Sequence, residues 1–153
     1  MTFEHYTESL PYELELTSRV LHETIVRFFN ENNFGITHDE FVVLDTLSIN
    51  DGISQIDLAK LILKGRAHTG RFLMSLEEKG LVVRSPSKKG KRLIMQNSVT
   101  AKGRLVLQKV SDFIERYIND MNLQDKQENA AKLIQLLRVV RSDLLERFDI
   151  KFQ

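Results

Sequence analysis

The chain has 153 residues, 42% of them apolar, and a formal net charge of +1 at pH 7. This length predicts one globular domain, or one domain with an oligomerisation arm. Cysteine is absent, which excludes disulfides, thiol nucleophiles and thiolate metal sites. No apolar run reaches the roughly 18 residues of a membrane span, and the N-terminus lacks the regions of a secretory signal. We expect a cytoplasmic protein without a cofactor.

The near-neutral total conceals an uneven distribution of charge. Residues 60–104 contain 12 Lys or Arg and two acids, whereas residues 1–59 contain two bases and 11 acids. Residues 105–153 contain eight of each. Clustered cations bind polyanions because they release counterions from phosphates. The central segment therefore predicts a surface for a polyanion, and DNA is the partner that the surrounding helices favour.

The first predicted element is a long helix over residues 9–32. Apolar side chains recur every three or four positions from Leu10 to Phe28, which places them on one helical face. Val20, Val26 and Phe29 widen this stripe beyond what one packing partner needs. The sequence from residue 32 to Gly35 ends the helix.

Three shorter helices are predicted between residues 37 and 80. Thr37 and Glu40 form a capping box for the first helix, and Ser54 caps the second. The third follows a turn at Lys64-Gly65 and stops at Gly80. Short helices joined by tight, glycine-containing turns are typical of a helix-turn-helix unit.

A β-hairpin and two long helices complete the predicted order. Residues 81–84 are β-rich, residues 85–90 are charged and turn-forming, and residues 93–95 form the returning strand. Thr100 opens one long helix, and Asp125 with Glu128 opens the last. The predicted fold is mainly α with a small β wing, a winged helix-turn-helix core flanked by long helices.

Two segments resemble the MarR family of winged helix-turn-helix transcriptional regulators. Residues 76–84 match its LE-x-x-GL-x-x-R pattern at the end of the recognition helix, and residues 99–103 are similar to its LT-x-x-G pattern. The order of elements extends the resemblance over essentially the whole chain. Gly70-Arg71 replaces the usual Thr-Arg pair, and the wing lacks the usual Asp, so that Arg92 is the nearest match to the wing arginine.

The residue chemistry independently favours DNA. An arginine on an exposed helix can bond guanine O6 and N7 in the major groove. Gly70 would let that helix approach the duplex, whereas the start of the preceding helix suits phosphate contacts. Wing bases would neutralise phosphates or enter the minor groove. The predicted DNA-binding residues are Ser54, Gln55, Arg66, His68, Gly70, Arg71, Ser75, Arg84, Lys88, Lys89, Lys91 and Arg92.

The long terminal helices predict a homodimer, because their apolar stripes exceed what a small winged helix can cover. Residues 1–33 and 105–153 then form a helical dimerisation region, and residues 34–104 form the DNA-binding domain. A symmetric dimer suits a pseudo-palindromic operator with half-sites roughly 34 Å apart. The expected function is that of a repressor.

The resemblance also implies a small aromatic or anionic effector between the dimer helices and the DNA-binding lobe. Residues that would line such a pocket are Tyr12, His22, Arg27, Phe29, Phe41 and Phe113, although core packing explains the same residues. The sequence His38-Asp39-Glu40 is not accompanied by the histidine cluster that a family zinc sensor would have, and no catalytic arrangement is readable, so we expect neither a metal site nor an enzyme. The alternative function is a winged-helix interaction module that binds an acidic protein.

Overall fold

The computed structural model describes residues 4–89, 92–120 and 127–152. Its elements are a 3-10 turn at Tyr6–Glu8, α1 (Leu10–Asn32), α2 (His38–Ile49), β1 (Ile53–Ser54), α3 (Gln55–Leu61), α4 (Arg66–Glu78), β2 (Val82–Lys89), β3 (Arg92–Val99), α5 (Ala101–Asp120) and α6 (Gln127–Arg147). The strands form an antiparallel sheet in the order β1-β3-β2. The predicted fold class, mainly α with a small β wing, is confirmed.

The chain divides into two units, Met1–Phe41 and Val42–Gln153. In the first unit, Ser9 caps α1 by accepting a hydrogen bond from the Tyr12 N–H at 3.4 Å, and Asn33 ends the helix with a left-handed φ of 49°. Most of the predicted apolar stripe is solvent-exposed in the protomer. The exposed apolar residues of α1 are Leu10, Leu16, Val20, Leu21 and Val26.

The predicted capping box of α2 is confirmed. The Glu40 N–H donates to Thr37 Oγ1 at 3.2 Å, and the Thr37 N–H donates to Glu40 Oε2 at 2.7 Å. Two donors that the helix itself leaves unpaired are thereby satisfied by side chains. Glu40 is buried, so the box is a fixed part of this helix start.

The second unit is built around an apolar core to which helices and strands contribute. Its fully or nearly fully buried side chains are Val43, Leu44, Leu47, Leu58, Leu73, Leu76, Leu81, Val82, Val99 and Val110. Leu58 comes from α3 and Leu73 from α4, so the helix-turn-helix pair packs through these residues. The core thus fixes which sides of α3 and α4 face outward.

The hairpin is longer than the sequence indicates. A turn is predicted over residues 85–90, but β2 continues to Lys89, with Ser85 paired to Gln96 and Pro86 paired to Met95. The predicted turn is therefore wrong for residues 85–89. Pro86 is tolerated because β2 is an edge strand, where a missing N–H interrupts no ladder on the open side. The short strand β1, which has no sequence signature of its own, pairs Ile53 with Asn97.

Two predicted features lie partly or wholly outside the described residues. The first is the predicted start of the last helix at Asp125 and Glu128. Asp125 lies outside the described residues, α6 is described from Gln127 onward, and the side chain of Glu128 is not described. The second is the tip of the hairpin, where Gly90 and Lys91 lie between the ends of β2 and β3 in the sequence and are outside the described residues. Of the helices in the described ranges, none combines the length and apolarity that crossing a membrane requires.

Candidate nucleic-acid interface

The helix-turn-helix begins with the cap that the sequence predicts. The Asp57 N–H donates to Ser54 Oγ at 3.2 Å, and the Ser54 hydroxyl donates to Asp57 Oδ2 at 2.8 Å. Helix α3 ends where the Lys64 N–H donates to the Ala59 carbonyl at 3.1 Å. Leu63 occupies the left-handed region there, with φ of 53°, a conformation that helix ends usually give to glycine. Gly65 then caps α4 with no side-chain bond.

The orientation of α4 follows from its buried residues, Thr69, Leu73 and Leu76. Thr69 is fully buried and its hydroxyl donates to the Gly65 carbonyl at 3.0 Å. Thr69 is not among the predicted buried residues of this helix, although its spacing of four from Leu73 places it on their side. Arg66, His68 and Arg71 are exposed. The described chain therefore presents basic side chains from α4 to solvent.

The exposed residues of α4 do not share one face. At 3.6 residues per turn, successive residues are about 100° apart, so His68, Arg71 and Ser75 fall within an arc of about 60° on the side of the helix away from Leu73. Arg66, five residues before Arg71, lies about 140° away by the same geometry. Of the DNA-binding residues predicted on α4, the exposed His68 and Arg71 and the half-buried Ser75 thus share one side, and Arg66 occupies a separate side at the start of the helix.

Gln55 connects α3, α4 and β2. Its Nε2 donates to the Arg66 carbonyl at 3.0 Å, and its Oε1 accepts from an Arg84 guanidinium nitrogen at 3.2 Å. A Cβ at Gly70 would lie 2.8 Å from the same Nε2. Gly70 therefore makes room for the Gln55 side chain, and both ends of the Gln55 amide are engaged within the protein.

Arg84 is a largely enclosed side chain of the wing. Its side chain is 19% exposed, with a guanidinium nitrogen 3.9 Å from Glu77 Oε2. Its Nε is buried and has no hydrogen-bond partner among the described residues. With Gln55 on one side and Glu77 on the other, Arg84 joins the base of β2 to both helices of the helix-turn-helix.

The two motifs that resemble the MarR family meet in space. Gly80 leaves α4 with φ of 70°, and the Thr100 hydroxyl and N–H donate to the carbonyls of Gly80 at 2.8 Å and Leu81 at 3.0 Å. A Cβ at Gly103 would lie 2.3 Å from the Leu81 carbonyl oxygen. The start of α5 is therefore fastened directly to the exit of α4. The predicted Thr100 cap is confirmed, since the Gly103 N–H donates to Thr100 Oγ1 at 3.0 Å.

The predicted cations of the wing lie only partly within the residues that the structure describes. Lys88 is exposed and pairs with Leu93 across the two strands. The backbones of Lys89 and Arg92 face each other at the end of the ladder, but their side chains, like the whole of Lys91, lie outside the described residues. Among the cations of the wing, Lys88 and, at the base of β2, Arg84 are thus the ones whose side chains the structure describes.

The residues predicted to line an effector pocket are not gathered within the first unit. Phe29 and Phe41 pack with ring centroids 5.8 Å apart, and Phe34 and His38 close the cluster around Phe29. Tyr12 contacts Tyr6 instead, and seventeen residues of straight helix place it about 25 Å from Phe29. His22 and Arg27 are exposed. In the second unit, the Arg116 guanidinium lies 4.8 Å from the ring centroid of Phe113.

A helix-turn-helix whose second helix leads directly into a β-hairpin defines a winged helix-turn-helix domain. Within the described ranges, no three His, Asp or Glu residues lie together as a metal site would require.

Comparison with known proteins narrows the class to which this domain is similar. A family model described as "MarR family" matches residues 36–94. This match includes the first of the two motifs, residues 76–84, and confirms the resemblance to the MarR family over those residues. No curated protein sequence matches the chain.

Solved structures match nearly the whole chain at low sequence identity. The transcriptional regulator SlyA is 24% identical, with a TM-score of 0.73 over 92% of this chain and 97% of that one. The transcriptional repressor CouR, bound to a 23-mer DNA duplex, is 23% identical, with a TM-score of 0.77 over 92% and 98%. A MarR protein from Peptoclostridium difficile is 19% identical, with a TM-score of 0.76 over 99% and 97%. The shared fold therefore includes the terminal helices.

Proposed function

We propose that the chain is a sequence-specific, double-stranded DNA-binding transcriptional regulator that acts as a homodimeric repressor and responds to a small-molecule effector. One observation carries this proposal: His68, Arg71 and Ser75 share the outward side of α4, next to a wing that bears Lys88. A helix fits the major groove of B-DNA, and a positively charged rim positions it on the phosphates. The DNA-bound state of the similar repressor CouR supports the same use of this fold.

The exposed and the enclosed residues are proposed to have different roles. Arg71, with His68 and Ser75 beside it, would contact base edges, because an arginine there can bond guanine at two atoms. Arg66, the wing lysines and Arg92 would contact phosphates, as would backbone N–H groups at the α3 start, where the Ser54 hydroxyl is already bonded to Asp57. A different role is proposed for Gln55, Gly70 and Arg84, which would fix the relative positions of α3, α4 and β2 without contacting DNA. Gln55 and Arg84 already hydrogen-bond within the protein, and the Gln55 side chain fills the space next to Gly70.

The proposal of a homodimer rests on apolar surface that the protomer leaves in water. Besides the exposed face of α1, α6 exposes Leu133, Ile134, Leu136, Val139 and Leu144. Soluble monomers rarely expose contiguous apolar surface of this kind, and such surfaces mark association sites. A twofold dimer would place two copies of α4 on the half-sites of a pseudo-palindromic operator.

The proposed roles are tested by selecting bound duplexes from a random DNA pool and measuring their affinity by fluorescence anisotropy. Arg71→Ala is expected to lower the discrimination between the preferred base pair and its alternatives about tenfold. Lys88→Ala is expected to weaken all sequences alike and to reduce the slope of log affinity against log salt by about one. Lys109→Ala, which removes an exposed lysine from α5, is the matched control and should change neither quantity.

Three results would count against the proposal. The first is a wild-type chain that selects no sequence, the second is DNA binding that does not depend on salt, and the third is an equal loss of specificity in Arg71→Ala and Lys88→Ala. Capture of a stable acidic protein partner combined with no DNA affinity would instead support an interaction module built on the same fold.

A further inference from the structure

Helix α4 has an outward stripe that its predicted DNA-binding residues describe only in part. The buried residues Thr69, Leu73 and Leu76 occupy an arc of about 60° around the helix, at about 100° per residue. The residues on the opposite side recur at steps of four, three and four positions, the spacing that aligns side chains on one helical face. All of them are exposed, and they are Ala67, Arg71, Met74 and Glu78.

Two members of this stripe are apolar and flank its arginine. Met74 is 53% exposed, and Ala67 is exposed as well. Single exposed apolar residues are common on protein surfaces, but Met74 lies one turn from Arg71 on the same side of the helix. At a rise of about 1.5 Å per residue, Ala67 is about 6 Å from Arg71 along the helix axis, and Met74 is about 4.5 Å from it in the other direction.

The major groove of B-DNA offers an apolar group of matching size. The C5 methyl group of thymine projects into this groove, and thymine is the base that carries such a group there. Small apolar side chains contact it in protein–DNA complexes, and the flexible thioether of methionine adapts to irregular surfaces. Neighbouring bases on a strand are about 3.4 Å apart, so the distance from Ala67 to Met74 corresponds to about three base pairs.

The charges along α4 indicate which part of the stripe faces the duplex. Arg66, at the first position of the helix, is an exposed cation, whereas Glu78, at the last position, is an exposed carboxylate. Phosphates attract the first end and repel the second. The stripe therefore approaches DNA through Ala67, Arg71 and Met74, in agreement with the use of the first residues of a recognition helix for base contacts.

We infer that Ala67 and Met74 contact the C5 methyl groups of two thymines, one on either side of the base pair that Arg71 contacts. Arg71 would select guanine through two hydrogen bonds, and the two apolar side chains would select thymine over cytosine through the methyl group. The preferred site then contains a thymine within about two base pairs of that guanine on each side. This inference rests on the proposed function, because it names the bases that the proposed surface distinguishes.

Replacement of thymine by uracil tests the inference, because uracil pairs as thymine does and lacks the methyl group alone. The duplex that the wild-type chain selects is prepared with each thymine replaced in turn by deoxyuridine, and affinity is measured by fluorescence anisotropy. Two positions, on either side of the one whose preference Arg71→Ala relaxes, are expected to lose about fourfold in affinity each. This is the equilibrium factor for burying about one such group.

Variants of the two apolar residues assign each effect to a side chain. Met74→Ala is expected to abolish the uracil effect at one position, and Ala67→Gly at the other, whereas Met74→Leu should keep it. Met95→Ala is the matched control, since it removes another exposed methionine, on β3, and should leave both uracil effects unchanged. Each variant is compared on two duplexes that differ by one methyl group, so a partial loss of folded protein cancels from the ratio.

5-Methylcytosine provides the converse measurement, because it carries the same methyl group on a different base. A C·G pair is placed where Met74→Ala abolishes the uracil effect, and the duplex is prepared with cytosine or with 5-methylcytosine there. The methylated duplex is expected to bind the wild type about fourfold more tightly than the unmethylated one, and to bind Met74→Ala no more tightly.

Uracil without effect at every position would overturn the inference and leave the proposed function standing. So would a uracil effect that persists in both Met74→Ala and Ala67→Gly, or a preferred sequence without thymine within about three base pairs of the guanine. A chain that selects no sequence at all would refute the proposed function, and this inference with it.

Discussion

Gly70 and Gly103 both lie inside helices, but a methyl group added to each meets a different obstacle. At Gly103 the nearest atom is the backbone oxygen of Leu81, 2.3 Å away, with Val99 Cγ1 at 2.7 Å. At Gly70 it is Nε2 of the Gln55 side chain, at 2.8 Å. A side-chain amide can rotate away, whereas the Leu81 backbone carbonyl, which accepts a hydrogen bond from the Thr100 N–H, cannot. The same substitution should therefore destabilise the protein much more at Gly103 than at Gly70.

Gly103→Ala is expected to lower the free energy of unfolding by about 1–3 kcal/mol, the usual cost of overpacking a filled site. Gly70→Ala is expected to change it by less than about 1 kcal/mol, since the gain in helix propensity offsets the displaced amide. Urea denaturation followed by circular dichroism measures both, and the two variants control for each other. Equal destabilisation by both would show that the Gln55 side chain next to Gly70 is as unable to move as the Leu81 carbonyl next to Gly103.

At the scale of single residues, the local signals in the sequence identify the caps correctly. Thr37 with Glu40, Ser54 with Asp57, and Thr100 all cap as predicted, because each cap needs only residues within three positions. The partnership of Gln55 with Gly70 and Arg84 is not predictable in that way, since the three residues are distant in sequence and meet only after α3, α4 and β2 have packed. Gly70 accordingly has a packing role that its position in a helix does not reveal.

At the scale of elements, Gln55 is the point where α3, α4 and β2 are joined by polar contacts. Its two hydrogen bonds use different ends of one amide, so two substitutions separate them. Gln55→Ala removes both bonds, and Gln55→Glu removes the donor to the Arg66 carbonyl while it keeps an acceptor for Arg84.

Gln55→Ala is expected to weaken DNA binding severalfold without altering the selected sequence, because it loosens the mutual position of α4 and the wing rather than a base contact. Its free energy of unfolding should fall by about 0.5–1.5 kcal/mol, the usual net value of such hydrogen bonds. Gln55→Glu should weaken DNA binding more than Gln55→Ala, because its carboxylate would face the Arg66 carbonyl oxygen and add a negative charge at the α3 start. A changed sequence preference in the selection experiment would instead assign Gln55 to direct readout.

The wing illustrates where pattern reading fails for an element. Ser85, Pro86 and Ser87 have turn chemistry, yet they continue β2 because each pairs with a residue of β3. Pairing across strands is a tertiary effect, and an edge position removes the objection to proline. Helix α4 shows a related difference, because Arg66 and Arg71 appear together in a basic stretch while the helical period places them on different sides.

At the scale of the whole molecule, the apolar surface of α6 is the feature that a single chain does not explain. Leu136 is 63% exposed and Val139 is 60% exposed in the protomer. The periodicity of the sequence predicts a helix with Leu133, Leu137, Val140, Leu144 and Phe148 on one face, but Leu137 and Val140 are half-buried, and the exposed Leu136 and Val139 lie outside that predicted face. No local sequence pattern identifies the surface that would cover these apolar residues, so the interface of the dimer is proposed and not predicted from the pattern.

Leu136→Glu is expected to shift the chain from dimer to monomer at micromolar concentration, because it places a charge where the proposed interface is apolar. Ile49→Glu, at an α2 position that is 79% exposed, is the matched control and should stay dimeric. Sedimentation velocity distinguishes the two states. Loss of dimer in both variants would indicate general destabilisation, and a monomeric wild type would exclude the proposed interface.

The fastening of α5 to the exit of α4, through Thr100 and Gly103, has a mechanical consequence. It makes α5, the base of the wing and the end of α4 a single rigid arm, and the 20 residues of α5 give that arm a length of about 30 Å. In the proposed dimer, a tilt of about 10° at the far end of such an arm would move α4 by about 5 Å over this length. A displacement of that size is at least as large as the spacing of neighbouring base pairs. A small rotation at the dimer axis would therefore be enough to move both copies of α4 out of alignment with their half-sites in the major groove.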